Sequence, residues 1–279
     1  MNPHSSAPIK IGDRHFVWGC QTYVMGIVNA TPDSFSGDGI LDPAVAAEQA
    51  VRMVEAGVDL IDVGAESTRP DHTPLDFGAE WARLGPVLHA LRKSVAVPIS
   101  VDTAKAAVAE RAFDAGVDAL NDVHGFRADP ALASLLAARG FPAVLMHNQR
   151  GRPSSGDVIA DVRAGLEESL LIAERAGINR ERLIIDPGFG FGLGPEQSLV
   201  LVRRLRELRD FGRPLLLGSS RKSALGWAIG EIDDPSARRW ATAASVALAV
   251  QAGVDIVRVH DVREMVAVSK VADAIVRSS

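Results

Sequence analysis

The sequence has almost no cysteine and no long apolar run. Cys20 is the one cysteine among 279 residues, so an internal disulfide is excluded, and no Cys or His lies near it at metal-ligand spacing. The longest apolar stretches, such as 241–250, fall well short of a bilayer span, and residues 1–10 lack the apolar core of a secretory signal. We therefore expect a cytoplasmic protein with no membrane partner, in which Cys20 is structural.

Concentrated charge is also absent. The formal net charge of -5 is spread over both signs with no basic run, so the electrostatic surface that nucleic acid requires is missing and no nucleic-acid partner is expected. With 47% apolar and 23% charged residues, the composition is that of one soluble α/β domain with a sizeable core. The predicted domain spans 1–279, with its core at about 22–275.

What the sequence does contain is a repeated pattern. Short apolar runs typical of buried strands recur at Tyr23–Asn29, Leu60–Gly64, Pro98–Asp102, Ala119–Asp122, Ala143–Met146, Leu183–Asp186, Leu215–Gly218 and Ile256–Val259. Alanine-rich amphipathic segments lie between them, and four end in an Ala-Gly pair that favours a helix C-cap: 43–56, 105–115, 157–176 and 239–252. The similar phrases AGVDLIDVG, AGVDALNDV, AGINRERLIID and AGVDIVRVH begin at these pairs and indicate a repeated βα unit.

This alternation predicts the fold. Eight strands alternating with helices favour a closed (β/α)8 TIM barrel over an open doubly wound sheet, and no GxGxxG follows the first strand. Before that strand, residues 9–18 alternate polar and apolar side chains around Gly12 and Asp13. We therefore predict an α/β barrel in a single domain, with a short N-terminal β-hairpin closing its bottom.

Polar residues stand at the strand ends, where TIM barrels carry their chemistry. They are Asn29, Glu66, Asp102, Asn121, Asp122, His147, Asp186, Ser220, Lys222, Arg258 and His260. For any one of Asp102, Asn121 or Asp186, a turn or helix-cap role is as plausible as a functional one. Their recurrence at every strand nevertheless predicts a site at this rim.

Three further features point to the ligand. Lys222, Arg258 and His260 form a basic cluster suited to phosphate, whereas Arg221 is equally consistent with a solvated loop charge. In the glycine-rich run 186–192, alternating Gly and Phe can bring the backbone and an aromatic face against a ligand. The long loops 30–43 and 65–77 have the composition of lids over an anionic substrate.

The sequence resembles the dihydropteroate synthases in the order and spacing of eight motifs. These are MGIVNATPDSFSGDG from Met25, DVGAESTRP from Asp62, SVDT from Ser100, NDVHG from Asn121, LMH from Leu145, IDPGFGFG from Ile185, GSSRKS from Gly218 and VRVHDV from Val257. The resemblance covers about residues 22–265. It implies a TIM-barrel transferase that joins 6-hydroxymethyl-7,8-dihydropterin pyrophosphate to para-aminobenzoate, releasing pyrophosphate after ionisation of the C–O bond.

The resemblance also implies roles for individual residues. The expected pterin ligands are Asp102, Asn121, Asp186 and Lys222. The expected pyrophosphate ligands are Asn29, Arg258 and His260, with Mg2+ as the cofactor and Asn29 as its protein ligand. The expected para-aminobenzoate and lid residues are Thr68, Arg69, Pro70, Phe191, Ser220 and Lys222. Of all these, Asp102, Asp186, Lys222, Arg258 and His260 are expected to be catalytic, and the family implies a homodimer formed through Trp227, Trp240 and 241–252.

Some positions depart from the family pattern. Leu193 stands where Lys is common after the Gly-Phe run, which removes one positive charge near the mouth, and Ala65, Asp71 and His124 replace more usual residues. Two alternative functions stay open at this point. One is a pterin-dependent methyltransferase acting on a corrinoid protein, which needs neither the phosphate cluster nor the TPDSFS and STRP segments. The other is a non-catalytic pterin-binding paralogue, which is expected to have lost lid or phosphate residues.

Overall fold

The structure, a computed structural model, describes residues 6–31, 39–67, 73–230 and 234–277. Its strands are β1 Ile9–Ile11, β2 Arg14–Phe16, β3 Tyr23–Asn29, β4 Leu60–Gly64, β5 Ile99–Asp102, β6 Ala119–Asp122, β7 Ala143–Met146, β8 Leu183–Asp186, β9 Leu216–Leu217 and β10 Ile256–Val259. Its helices are α1 Pro43–Glu55, α2 Phe77–Ser94, α3 Ala106–Asp114, α4 Pro130–Arg139, α5 Val158–Arg175, α6 Pro195–Arg203, α7 Ser223–Ala228, α8 Pro235–Ala252 and α9 Val262–Val276.

Strands β3 to β10 form the predicted barrel. Each strand pairs in parallel with its neighbours in the order β8-β7-β6-β5-β4-β3-β10-β9. A parallel bridge between Ile185 and Leu215 joins the two ends of this sheet, and the amide of Ile185 donates to the carbonyl of Pro214 at 3.0 Å. The (β/α)8 prediction is confirmed, and the carboxyl ends of all eight strands open on one side.

The aspartate of each AGVD phrase has a common structural role. The preceding glycine takes a left-handed conformation, for example φ +93° at Gly57, and ends the helix. The aspartate then enters the next strand and accepts a hydrogen bond from a backbone amide at the start of a neighbouring strand. The acceptor and donor pairs are Asp59 and Val24 at 2.7 Å, Asp118 and Ile99 at 2.9 Å, and Asp255 and Leu215 at 3.0 Å. The repeat therefore fixes strand registers at the bottom of the barrel.

The N-terminal hairpin closes that bottom, as predicted. Strands β1 and β2 pair antiparallel around the turn at Gly12 and Asp13. The fully buried Phe16 and the nearly buried Trp18 pack on the first inward side chains of the barrel strands, including Leu60. Arg14 of β2 pairs with Asp59 at 2.5 Å, which ties the hairpin to the sheet.

Helix α8 and strand β9 differ most from their predicted bounds in proportion to their length, and the other predicted strands and helices of the barrel agree to within one residue at each end. Helix α8 begins at Pro235, four residues before the predicted start, because the Asp234 side chain accepts from the amide of Ser236 and Pro suits the first helical turn. Strand β9 has only two residues, since Leu215 forms an isolated bridge and Gly218 lies beyond the ladder. Among the described residues, no helix is both long enough and apolar enough to cross a membrane.

Candidate active site at the barrel mouth

Strand alternation places the charged residues of the site inside the barrel. The first inward residues, such as Leu60 and Ile256, pack on the hairpin, so the residues two positions further, Asp62 and Arg258, also face inward one layer higher. Asp102 ends β5 in the same way. The inward-facing side chains of these strands thus change from apolar to charged within two residues.

Arg258 holds two carboxylates together. Its Nε donates to Oδ2 of Asp62 at 2.7 Å, and an Nη2 hydrogen bond reaches Oδ2 of Asp102 at 2.9 Å. Burial raises the pKa of Asp102 to about 7; Arg258 opposes this shift, and the charge of Asp62 adds to it. The predicted basic cluster is therefore partly neutralised, because Arg258 is already hydrogen-bonded to two acids inside the mouth.

Asp62 belongs to this charged network but was not among the predicted site residues. Its side chain is fully buried and accepts three hydrogen bonds, from Arg258, from Ser100 Oγ at 2.5 Å and from Asn121 Nδ2 at 2.9 Å. Asp62 lies in the middle of its strand, whereas the predicted site residues lie at strand ends, so the strand-end pattern did not indicate it. The signal that could have found it is the alternation from apolar Leu60 to an acid on the same face.

Asp186 and Lys222 interact electrostatically at the mouth. Asp186 is 6% exposed, and its Oδ1 accepts from the amide of Gly188 at 2.8 Å. Burial raises the pKa of Asp186, opposed mainly by Lys222. Burial lowers the pKa of Lys222 to about 7, opposed by Asp186. Because desolvation disfavours the charged form of both groups, hydrogen bonds from a ligand would stabilise them, which makes the pair a candidate binding site.

The Gly-Phe run divides into a core residue and a mouth residue. Phe189 is fully buried in the main core, and its carbonyl accepts from Lys222 Nζ. Phe191 lies under Lys222, with Nζ 4.3 Å from the ring centroid, and the Arg150 guanidinium lies 5.0 Å from the same ring. Leu193 is buried in the core, so the departure at that position affects packing, and Arg150 brings a positive charge to the mouth instead.

Ser220 and His260 form a second pair at the rim. The His260 ring Nδ1 lies 3.0 Å from Ser220 Oγ, which also accepts from the His260 amide at 3.2 Å. Arg221 turns away and makes a two-pronged ion pair with the buried Asp261, at 2.6 and 2.9 Å. Arg221 is therefore neither a solvated loop charge nor a residue that points into the site, because it is paired with a buried acid.

His147 does not reach the rim with the other strand-end residues, contrary to the prediction. It is fully buried, and its Nδ1 lies so close to Gly165 of α5 that a Cβ there would overlap the ring. Its Nε2 lies 2.9 Å from the Gln149 side-chain oxygen. Because Met146 faces inward, the next residue faces the helices. Burial lowers the pKa of His147 to about 4.

The remaining predicted residues are divided between described and undescribed parts of the chain. Asn29 ends β3 half-buried, and its carbonyl accepts from the amide of Ile40 at 2.8 Å. Thr68, Arg69 and Pro70 lie outside the described residues. Within the described ranges, no group of three or more His, Cys, Asp or Glu side chains could hold a metal. A metal at this mouth would need most of its ligands from phosphate and water.

Comparison with known proteins agrees with this geometry. Residues 25–260 match the family described as "Pterin binding enzyme". The dihydropteroate synthase of Synechocystis is 41% identical over 99% of this chain and 98% of its own length. The Clostridium difficile dihydropteroate synthase solved with pteroic acid is 42% identical with a TM-score of 0.88, covering 94% of this chain and 100% of that one. The Xanthomonas albilineans enzyme solved with 4-aminobenzoic acid is 39% identical with a TM-score of 0.90, covering 97% and 98%.

The barrel and its charged mouth define a class first. The parallel barrel carries buried acids around one guanidinium at its mouth, and residues 25–260 of the chain match the pterin-binding enzymes, so the chain belongs to that class. Within that class, the chain belongs to the dihydropteroate synthase family. The resemblance found in the motifs is thereby confirmed, and the chain is a transferase.

Proposed function

We propose that the chain condenses 6-hydroxymethyl-7,8-dihydropterin pyrophosphate with para-aminobenzoate to give 7,8-dihydropteroate and pyrophosphate. The observation that carries this proposal is the electrostatically coupled pair Asp186 and Lys222, which also interacts with the Asp62–Arg258–Asp102 network. The relatives of the chain are named dihydropteroate synthases, and two of the solved ones were obtained with pteroic acid and with 4-aminobenzoic acid, respectively. The methyltransferase and non-catalytic alternatives are not favoured by these comparisons.

The proposed pterin site uses donors and acceptors already held in place. A carboxylate at Asp186 can accept two parallel N–H bonds from the 2-amino edge of the ring. Asp102 and Asn121 offer further hydrogen-bonding groups from the adjacent strands β5 and β6. Lys222 can donate to a ring oxygen or nitrogen while its charge is balanced by Asp186.

The proposed pyrophosphate site lies at the outer edge of the same mouth. Arg258 uses Nε and Nη2 for the carboxylates, and among the described residues no hydrogen bond engages its Nη1, so this nitrogen can donate to phosphate. His260 adds a second donor, and Asn29 supplies a neutral oxygen. We propose that Mg2+ is held by the Asn29 oxygen, phosphate oxygens and water; its chemistry is to neutralise the charge of the leaving group.

The proposed reaction needs no side-chain nucleophile. Arg258 and His260 stabilise the negative charge that develops as the C–O bond to pyrophosphate breaks. The carboxylates of Asp102 and Asp186 favour the pterin methylene cation, which the aromatic amine then attacks. Phe191, Ser220 and Lys222 are the described residues proposed for para-aminobenzoate, together with Thr68, Arg69 and Pro70.

Asp186 provides the test of the pterin site. Asp186→Ala is expected to weaken binding of the pterin pyrophosphate about 100-fold, because the neighbouring Lys222 and the bound N–H groups lose their acceptor. Isothermal titration calorimetry measures this change. Asp122→Ala is the matched control, since Asp122 is also buried at the end of its strand but accepts from the loop amides of His124 and Phe126. Unchanged affinity in Asp186→Ala contradicts the assignment.

We also propose that residues 1–279 form one domain and that the protein is cytoplasmic.

We propose in addition that the chain forms a homodimer. The dimer is supported by large apolar side chains that stay exposed: Trp240 at 71%, Leu248 at 55% and Trp227 at 46%. A largely apolar groove of about 770 Å3 between α6, α7 and α8 adjoins them. Light scattering after size-exclusion chromatography is expected to give twice the chain mass for the native protein and one chain mass for Leu248→Arg.

A further inference from the structure

Asp62 lies beneath the proposed pterin site without opening into it. Its side chain and that of Ser100 are fully buried. Asn121 is 4% exposed and aligns with Asp102, which is two residues closer to the strand ends than Ser100, the partner of Asp62 in the register. The three hydrogen bonds to Asp62 come from β5, β6 and β10. A ligand in the mouth can therefore contact Arg258 and Asn121, but neither Asp62 nor Ser100.

The carboxylate fixes the orientation of the Asn121 amide. A carboxylate only accepts hydrogen bonds, so the Nδ2 group of Asn121 must face Asp62, as it does at 2.9 Å. In the flipped orientation Oδ1 would face Asp62 Oδ2, with two acceptors opposed in a buried place. An unmade buried hydrogen bond of this kind disfavours that orientation by about 10- to 100-fold. Asn121 then presents its Oδ1 acceptor toward the mouth.

The same carboxylate fixes the guanidinium. Arg258 donates Nε to Asp62 and Nη2 to Asp102, and a planar guanidinium held at two nitrogens has one remaining direction for the third. Ser100 Oγ holds the other carboxylate oxygen of Asp62 at 2.5 Å, so the acid itself cannot rotate freely.

We infer that Asp62 is a positioning residue that sets the hydrogen-bond polarity of the pocket: it turns Asn121 into an acceptor for a ligand N–H and aims Arg258 outward. This inference rests on the proposed function, because it assigns a pterin N–H to the Asn121 oxygen. It also predicts a requirement for the ligand: the group that meets the Asn121 side chain must be a hydrogen-bond donor. A ligand that presents an acceptor to Asn121 is rejected.

A double-mutant cycle with a phosphate-free probe tests the part of the inference that concerns Asn121. The probe is 6-hydroxymethylpterin, which does not report on the phosphate contact of Arg258. Asp62→Asn can donate to Asn121 Oδ1 and allows the amide to flip, so binding is expected to weaken about 10- to 100-fold. In an Asn121→Ala background the same substitution is expected to change the affinity by less than about threefold, because the coupled partner is gone.

Steady-state kinetics separates positioning from general damage. Asp62→Asn is expected to raise KM for the pterin pyrophosphate while KM for para-aminobenzoate stays within about twofold, whereas partial misfolding lowers kcat alone. Asp122→Asn controls for loss of a buried negative charge, since Asp122 follows Asn121 on β6 and lies on the opposite face of that strand, and it is expected to leave pterin affinity unchanged.

The outcomes are distinguishable. An equal loss of affinity in both backgrounds, or no loss in either, overturns the role of Asp62. If Asp62→Asn does not fold, Ser100→Ala frees one carboxylate oxygen and is expected to weaken binding about threefold with native Asn121 and not with Asn121→Ala; equal effects again overturn the inference. If the unmodified protein binds no pterin, the proposed function fails and this inference fails with it.

Discussion

Replacing Lys222 by methionine is expected to stabilise the fold and abolish the reaction. Methionine is one atom shorter than lysine and can still pack on Phe191, while the desolvated ammonium is removed. Burial lowers the pKa of Lys222 to about 7 from its usual 10.5, with Asp186 opposing the shift and Arg258 and Arg150 adding to it. Carrying this charge therefore costs the folded protein free energy whenever the lysine is protonated in the unfolded chain.

The magnitude follows from the two pKa values. A lysine with a depressed folded-state pKa contributes its full stability above the unfolded value, and that stability is lost as the pH falls toward 7. At about 1.4 kcal/mol per unit of pH, the cost is about 2 kcal/mol at pH 9 and about 5 kcal/mol at pH 6. Lys222→Met removes this dependence. Its stability advantage over the native chain is thus expected to be about 3 kcal/mol larger at pH 6 than at pH 9.

Urea unfolding at the two pH values measures the difference directly. Lys93→Met, at an exposed lysine near the end of α2, is the control and is expected to show no change in its effect between the two conditions. Groups that do not interact with Lys222 titrate alike in both proteins and cancel in the comparison. The pKa of Asp186 rises further without Lys222, which adds to the advantage of Lys222→Met at the lower pH. An advantage for Lys222→Met that is the same at both pH values refutes the desolvated-lysine reasoning. Retained turnover refutes the role of Lys222 in the site.

Two further substitutions test the supports of the mouth. Lys105→Met leaves the fully buried Glu80 carboxylate without its cation and is expected to lower the free energy of unfolding by about 3 kcal/mol, measured by urea denaturation; an unchanged midpoint contradicts this. Gly188→Ala is expected to cost at least about 3 kcal/mol, because φ is +76° and the new Cβ would overlap the His147 carbonyl. Gly212→Ala, at φ +59° with open space around it, isolates the backbone strain and should lower the thermal midpoint less.

The barrel could be predicted because its signals are local. The run Tyr23–Asn29 is a strand with the predicted bounds, and the Ala-Gly pairs end helices with glycine at positive φ, as at Gly116. The short β9 could not be anticipated, because whether Leu215 joins the ladder depends on how the sheet closes against Ile185. Closure is a property of the whole barrel.

The site was predicted only in part, because the sequence pattern does not show toward which face of its strand each side chain points. Asp186 and Lys222 were expected to act together, and the structure places them at the same mouth, but their contact with substrate stays a prediction. Asp62 was missed and His147 was misplaced for the same reason: the face on which a strand residue lies depends on the register of that strand. Arg150 reaches Phe191 from a loop, and neither pattern nor spacing indicates such a contact.

The most direct test of the central claim is turnover by the purified protein with dihydropterin pyrophosphate and Mg2+, with and without para-aminobenzoate. We expect pyrophosphate release that depends on para-aminobenzoate, together with a product of the mass of dihydropteroate. Pterin binding with neither pyrophosphate release nor that product would contradict the account, and would instead identify the chain as a non-catalytic pterin-binding member of its family.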